Sequence, residues 1–145
     1  MERKNNYYLE FIQQITPTDM LPGALDLLHE IHHGGLKCAI GSASKNTCLV
    51  VEKLGIESLV DAISDGYSVT NPKPAPDLFL HTASALGLPP GQCVVVEDAE
   101  AGVQAAIAGG FHSIGLGPVE RVGEAEVVYP SLEGLHLSRI LSDFN

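Results

Sequence analysis

Short apolar runs alternate with amphipathic segments along this chain, and glycine or proline stands between most of them. Ala24 to His33 carries apolar residues at helical spacing and is followed by Gly34-Gly35, which predicts a helix that ends there. The same criteria predict further helices over residues 7–15, 45–54, 78–86, 99–108 and 136–142. Short apolar runs predict strands over residues 37–42, 62–64, 93–97, 113–116 and 126–128. This alternation is typical of an α/β fold, so we expect a Rossmann-like three-layer core with a reduced parallel sheet.

The clearest predicted strand is Cys93 to Glu97, whose sequence CVVVE is apolar and β-branched before it ends in an acid. Folds of this class bind ligands at the carboxyl ends of their parallel strands. Ser42 ends one predicted strand, and Glu97 with Asp98 stands at the end of another. We therefore expect polar side chains to line this edge of the sheet and to form part of a ligand site.

The first candidate motif is the segment GSASKN, from Gly41 to Asn46, at the end of a predicted strand and the start of a helix. Small residues let backbone N–H groups approach an anion, and a helix N-terminus adds partial positive charge. The hydroxyls of Ser42 and Ser44, the Lys45 ammonium and the Asn46 amide are further donors. Ser44 is equally suited to cap the helix. The residues alone leave both interpretations open.

The second motif is Lys73, which lies between Pro72 and Pro74 in the segment NPKPAPDLF. Two flanking prolines restrict the backbone and reduce the entropy lost when the lysine side chain is positioned. A lone lysine in a loop is usually only solvated. The rigid setting indicates a candidate for a functional role.

The third motif is the adjacent pair Glu97-Asp98, directly after the apolar strand residues. Two neighbouring carboxylates repel each other unless a cation or hydrogen-bond donors lie nearby. Oxygen ligands of this kind suit Mg²⁺, which keeps several waters and bridges to phosphate. Asp98 is also suited to cap the helix predicted to begin at Ala99. Both roles are compatible.

The charge balance excludes one large class of partner. The chain has 18 Asp and Glu residues against 8 Lys and Arg, for a formal charge of −10. Duplex nucleic acid needs a basic face, so we expect no nucleic-acid partner. The sequence shows no signal-peptide pattern, no apolar run of about 18 residues as a membrane span needs, and no C-x-x-C pair among its cysteines. We expect a cytoplasmic protein without membrane contact.

The segment His29 to His33 matches the zinc-protease pattern H-E-x-x-H. The helical spacing of Ala24, Leu27, Leu28 and Ile31 places the apolar stripe on the opposite face from His29 and His33. Histidines in a last turn also suit the helix dipole without a metal. We therefore expect these side chains to face solvent.

In this order and spacing, GSASKN, KPAPDLF and VVVEDAEAGVQAA resemble the second, third and fourth signature motifs of the haloacid dehalogenase superfamily. The likeness is greatest to the β-phosphoglucomutase family of isomerases, and sibling phosphatases, which are hydrolases, share much of the pattern. The resemblance implies Mg²⁺-dependent phosphoryl transfer through an aspartyl-phosphate on a phosphorylated sugar. It implies that Ser42 and Lys73 hold the transferring phosphoryl group. The segment from Ala43 to Asn46 would contact the sugar's other phosphate, and Glu97 and Asp98 would ligate Mg²⁺.

The family's D-x-D-G motif, whose first Asp attacks the phosphate, does not occur in this sequence. Asp65-Gly66 is the only D-G pair, and we interpret it as a turn in the loop before Lys73. The resemblance therefore divides the chain into residues 1–20, a remnant of the cap-domain helix and linker, and residues 21–145, a core without its first strand. A chain of this kind is expected to be inactive alone. The alternatives are a phosphate-binding or protein-interaction module, and the C-terminal half of a split enzyme.

In the family the absent strand lies between the strands that here end at Ser42 and Glu97. Its loss leaves two apolar strand edges with unpaired N–H and C=O groups. We expect either that these two strands pair directly, or that a homodimer or a complementing N-terminal segment covers the gap.

Overall fold

The computed structural model describes residues 22–144, and every structural statement below refers to this part of the chain. Its helices are α1 (Ala24–His33), α2 (Thr47–Leu54), α3 (Asp77–Leu86), α4 (Glu100–Ala108), α5 (Val119–Val122) and α6 (Leu137–Asp143). Its strands are β1 (Ala39–Gly41), β2 (Ala62–Ser64), β3 (Val94–Glu97), β4 (His112–Leu116) and β5 (Val127–Tyr129). Short 3₁₀ helices occupy Glu57–Leu59 and Pro90–Gln92. The expected α/β class is confirmed.

The predicted elements occur in the predicted order, and α1 and β2 have the predicted bounds at both ends. Helix α2 begins at Thr47, so Lys45 and Asn46 belong to the preceding turn instead of the helix. The short helix α5 and the 3₁₀ helices were not predicted. The helix expected over residues 7–15 and the domain boundary expected at residues 20 and 21 lie outside the described residues. None of the helices within residues 22–144 combines the length and hydrophobicity that a membrane span needs.

The strands form two parallel sheets where one reduced sheet was expected. Strand β1 pairs with β2, and β3, β4 and β5 pair in that order. One of the two expected outcomes, direct pairing of β1 with β3, is therefore wrong within the described residues. A homodimer or a complementing segment stays a prediction.

Helix α3 packs against one face of both β1 and β3. A Cβ added to Gly41 at the end of β1 would lie 3.4 Å from Phe79 Cδ1 of this helix. Val95 of β3 packs on the same side, against the buried cluster Phe79, Ala83, Ala105, Ala106 and Phe111. The two sheets are thus held from one face by a shared helix.

Helix α1 covers the opposite face and also contacts both halves of the core. Leu27 is buried with Ile114 and Leu116 of β4, whereas its neighbour Leu28 packs against the cluster Val51, Ile56 and Leu59. The result is a three-layer arrangement in which β3 still has an open edge. Val94 and Val96 of β3 are 38% and 42% exposed.

Candidate functional site

The loop after β1, residues 42–46, is organised by its own hydroxyl groups. The Ser44 N–H donates to Ser42 Oγ at 3.2 Å, and the Asn46 N–H donates to Ser44 Oγ at 3.1 Å. The Ser42 N–H donates to the Ser64 carbonyl at 3.0 Å, which ties the loop to the end of β2. Ser44 Oγ therefore supports the turn before α2, whose N-cap residue is Asn46. Ser44 lies two residues before that N-cap position, and its two suggested roles stay predictions.

A second turn, Asp65 to Ser68, packs directly on this loop. The Gly66 N–H donates to the Ser44 carbonyl at 3.1 Å, and a Cβ on Gly66 would lie 2.4 Å from the Ala43 carbonyl oxygen. The turn itself is closed by the Ser68 N–H donating to the Asp65 carbonyl at 3.0 Å. The interpretation of Asp65-Gly66 as a turn is confirmed, and the glycine is required by the close approach.

The same turn brings Tyr67 to the candidate site, although the sequence analysis did not single it out. The Lys45 ammonium lies 5.2 Å from the centroid of the Tyr67 ring, within cation–π range. Tyr67 is 74% exposed, so the lysine is held at the surface over an aromatic face. The only sequence signal was a tyrosine within a polar turn.

Lys73 reaches across to the end of β3. Its ammonium lies 2.7 Å from Glu97 Oε1 and 4.7 Å from the centroid of the Phe79 ring. The side chains of Lys73 and Glu97 are only 18% and 12% exposed, so their ion pair is shielded from solvent. The Asn71 side-chain amide donates to Asp77 at 2.9 Å and ties the loop to the start of α3. The lysine is thus positioned at the strand end that carries the paired acids.

Glu97 and Asp98 have different environments despite their adjacency. Glu97 Oε2 accepts a hydrogen bond from the Ala99 N–H at 3.0 Å, so both of its oxygens have protein partners. Asp98 is exposed, and its carbonyl oxygen accepts a hydrogen bond from Arg121 Nε at 2.7 Å. Within residues 22–144 no hydrogen bond involves the Asp98 carboxylate. The predicted capping role of Asp98 is wrong, because Glu97 takes the nearest free N–H.

The histidines of the H-E-x-x-H segment face solvent, as predicted. His29 and His33 are both exposed, and the His33 ring Nδ1 lies 2.7 Å from the carbonyl oxygen of His29. No group of three or more metal-binding side chains occurs in the described part of the chain. The zinc-protease alternative therefore has no structural support.

The family model for haloacid dehalogenase-like hydrolases matches residues 2–110. The chain belongs to this family. The chain is 34% identical over 137 residues to the β-phosphoglucomutase of Bacillus subtilis (strain 168), covering 94% of this chain and 61% of that protein. It is 36% identical over 123 residues to hexitol phosphatase A of Escherichia coli (strain K12), covering 82% of this chain and 57% of that protein.

The fold of this chain is also similar to a solved structure of β-phosphoglucomutase from Clostridium difficile. It superposes with a TM-score of 0.96 at 38% identity, covering 99% of this chain and 65% of that protein. The chain thus spans less than two thirds of the length of these relatives. The resemblance inferred from the three motifs is confirmed at the level of the family, and the relatives that the chain matches include a β-phosphoglucomutase and a hexitol phosphatase. The roles of individual site residues stay predictions.

Proposed function

We propose that this chain supplies the phosphate-binding and Mg²⁺-binding groups of a phosphoryl-transfer site for phosphorylated sugars. The observation that carries the proposal is the shielded contact between the Lys73 ammonium and Glu97 at the carboxyl end of β3. Gly41, at the end of β1, packs against the same Phe79 ring that Lys73 covers. The loop that starts at Ser42 and the Lys73–Glu97 pair therefore belong to one edge of the molecule.

Phosphate binding is supported by the loop of residues 42–46 together with Lys73. The loop precedes helix α2, whose N-terminus carries partial positive charge. Lys45 and Lys73 add two ammonium groups on a protein whose formal charge is −10. A phosphate ester would therefore be attracted by local groups against the overall charge, which favours a defined site over nonspecific attraction.

The residues present fit Mg²⁺ in the type and number of their donors. Proteins commonly bind Mg²⁺ through one or two carboxylates, with waters and a substrate phosphate as the other ligands. The Asp98 carboxylate would hold the ion, and Glu97 would join it by weakening its present contact with Lys73 or with the Ala99 N–H. When bound, Mg²⁺ supplies electrostatic stabilisation of negative charge on the phosphoryl oxygens.

We further propose that the chain alone binds phosphate esters without turning them over. Covalent phosphoryl transfer needs a nucleophile aligned with the phosphorus, and the family motif that carries it does not occur in this sequence. The carboxylate of Asp65, the acid of the only D-G pair, takes part in its own turn, where it accepts a hydrogen bond from the Tyr67 N–H at 2.8 Å. The open edges of β1 and β3 favour a second candidate function, the C-terminal half of a split enzyme.

The binding proposal is tested by titration calorimetry with inorganic phosphate in the presence of Mg²⁺. We expect the double variant Ser42→Ala/Lys73→Ala to bind at least about tenfold more weakly, because a charged hydrogen bond contributes about 1.5–3 kcal/mol. Lys53→Ala is the matched control, since it removes one positive charge in the last turn of α2, away from the loop. Equal affinity of wild type and the double variant would remove the phosphate-site proposal.

The catalytic proposal is tested separately with β-glucose 1-phosphate and Mg²⁺. We expect turnover at the background rate for the purified chain. Turnover that persists through repurification and is abolished by Asp98→Ala would show that another group has taken over the attack. That result would leave the binding proposal intact.

A further inference from the structure

One arginine connects the ends of two neighbouring strands beside the candidate site. Arg121 lies in α5, the short helix after β4, and its Nε donates to the Asp98 carbonyl oxygen at 2.7 Å. Asp98 follows β3, which pairs with β4 in parallel, so the bond crosses between the carboxyl ends of the two strands. None of the three sequence motifs includes this arginine.

Buried packing fixes the backbone from which the Arg121 side chain extends. The next residue, Val122, is fully buried in a cluster with Val103 of α4 and Ala125. A Cβ added to Gly115 of β4 would lie 2.6 Å from Val122 Cβ, so α5 lies directly on the strand. Arg121 is itself exposed, but its backbone belongs to a well-packed part of the core.

Gly117 leaves the space that the guanidinium occupies. A Cβ added to this glycine would lie 2.5 Å from Arg121 Nη2, well inside van der Waals contact. The φ angle of Gly117 is also +119°, in the region that favours glycine. A residue with a side chain would therefore be strained at this position and would displace the guanidinium from the end of β4.

Arg121 contacts a carbonyl group instead of a carboxylate. The whole chain has 18 Asp and Glu residues, yet within residues 22–144 Arg121 forms no ion pair. The charge of the guanidinium strengthens its hydrogen bond to the neutral carbonyl. Among the described residues no other side chain hydrogen-bonds to Asp98. The arginine is therefore the side chain that restrains this acid.

The peptide group between Asp98 and Ala99 is held at both of its polar atoms. Arg121 donates to its carbonyl oxygen, and its N–H, which belongs to Ala99, donates to Glu97 Oε2 at 3.0 Å. Two hydrogen bonds on opposite sides of a planar group fix the orientation of that plane. Since the plane sets one backbone dihedral angle of Asp98, it also limits the rotamers that the Asp98 side chain can adopt.

We propose that Arg121 is a positioning residue for Asp98, because its bond to the backbone orients the Asp98 carboxylate as a ligand for Mg²⁺. The proposal rests on the proposed function, in which Asp98 binds the ion. Removing a group that holds a metal ligand in place typically lowers metal affinity by about tenfold to hundredfold. Arg121 acts on the backbone and not on the carboxylate itself, so we expect a loss of at least about fivefold.

The charge of Arg121 alone would have the opposite effect. A cation beside the site repels Mg²⁺, so its removal favours binding of the ion. Two neutral variants separate the charge from the hydrogen bond. Arg121→Gln loses the charge but keeps an N–H donor at the same position along the side chain as Nε, whereas Arg121→Met has a similar length and no donor. A difference between these two variants therefore reports the hydrogen bond.

The experiment titrates the full 145-residue chain with Mg²⁺ and follows its amide chemical shifts by NMR. We expect Arg121→Met to bind Mg²⁺ at least about fivefold more weakly than Arg121→Gln, and equal affinities would overturn the proposal. Asp98→Ala shows which proposal has failed. If it weakens Mg²⁺ binding while the two Arg121 variants are equal, only the positioning role is wrong. If it binds Mg²⁺ as wild type does, the proposed Mg²⁺ site is wrong, and the positioning role with it.

A second readout needs no metal. In wild type and in Arg121→Gln we expect the Ala99 amide, which belongs to the peptide group that Arg121 holds, to have the order parameter of rigid backbone, about 0.85. In Arg121→Met we expect the order parameter to fall toward the value of about 0.6 that marks flexible backbone. An unchanged order parameter in Arg121→Met would overturn the positioning role, whatever the Mg²⁺ affinity.

Discussion

Replacing Gly102 by alanine tests whether the close packing of α4 against the Glu97 side chain contributes to stability. A Cβ on Gly102 would lie 2.1 Å from Glu97 Cδ and 2.4 Å from Oε1, far inside van der Waals contact. The Glu97 side chain must therefore move, and we expect it to give up its hydrogen bonds to Lys73 at 2.7 Å and to the Ala99 N–H at 3.0 Å. Two opposing effects then decide the stability of the variant.

The favourable effect is helix propensity, since alanine in a helix is more stable than glycine by up to about 1 kcal/mol. The unfavourable effect is the loss of two hydrogen bonds to an ionised group, each of which contributes about 1.5–3 kcal/mol. Exposure of only 18% and 12% for Lys73 and Glu97 limits how well water replaces these bonds. Taking the lower bound for both bonds, we expect Gly102→Ala to lower the free energy of unfolding by about 2 kcal/mol.

The measurement is urea denaturation followed by circular dichroism, in EDTA so that no divalent ion competes for Glu97. The matched background is Glu97→Ala, in which the obstructing carboxylate is absent and Gly102→Ala should stabilise by up to about 1 kcal/mol. Gly91→Ala is the surface control, because no atom lies within 4 Å of its added Cβ. We expect its effect to stay within about 0.5 kcal/mol.

The double-mutant cycle gives the coupling between the two positions directly, and we expect about 3 kcal/mol, at the upper end of values for residues in contact. If Gly102→Ala changed stability by the same amount with and without the Glu97 side chain, the two residues would be uncoupled. That result would contradict the inference that the contact between Gly102 of α4 and Glu97 holds the carboxylate in place for Lys73.

Two further predictions concern titratable groups elsewhere. Burial raises the pKa of the Cys38 and Cys93 thiols, so iodoacetamide at pH 8 should modify the exposed Cys48 first. Peptide mass spectrometry measures the order of labelling, and faster labelling of Cys38 would contradict this prediction. Burial and a hydrogen bond to Asp143 raise the pKa of Tyr129 above 10.0, so the native state holds that proton more tightly than the unfolded chain does. The stability that this shift contributes is present below pH 10 and is lost as pH rises through the pKa of the folded state. The free energies of unfolding of wild type and Tyr129→Phe, measured by urea titration, should therefore converge at alkaline pH. A difference that stays constant with pH would refute the linkage.

Most of the fold was predictable because its signals are local. The apolar spacing from Ala24 to His33, with two glycines after it, defines α1 without knowledge of its partners. The β-branched run before Glu97 likewise defines β3. The separation of the sheets was not predictable in this way, because the pairing of β1 with β3 depends on contacts between segments that lie far apart in the sequence.

The contacts among the candidate site residues were less predictable than the elements on which those residues lie. The sequence placed Lys73 in a loop and Glu97 at the end of a strand, but only the folded chain shows that the two side chains contact each other at 2.7 Å. Asp98 and Glu97 look equivalent in sequence, yet the fold gives Glu97 three fixed neighbours and leaves Asp98 exposed at the start of α4.

The different environments of Glu97 and Asp98 affect how each would respond to a bound cation. Glu97 contributes to stability through its contacts with Lys73 and the Ala99 N–H, and a second positive charge near it would weaken its hold on Lys73 by competition for the same carboxylate. Asp98 bears no such cost, because its carboxylate has no contact to give up within residues 22–144. In the proposed Mg²⁺ site we therefore expect the exposed Asp98 to be the first ligand and the shielded Glu97 to support the lysine. Two adjacent carboxylates of the same chemical type thus have different environments because of their surroundings alone.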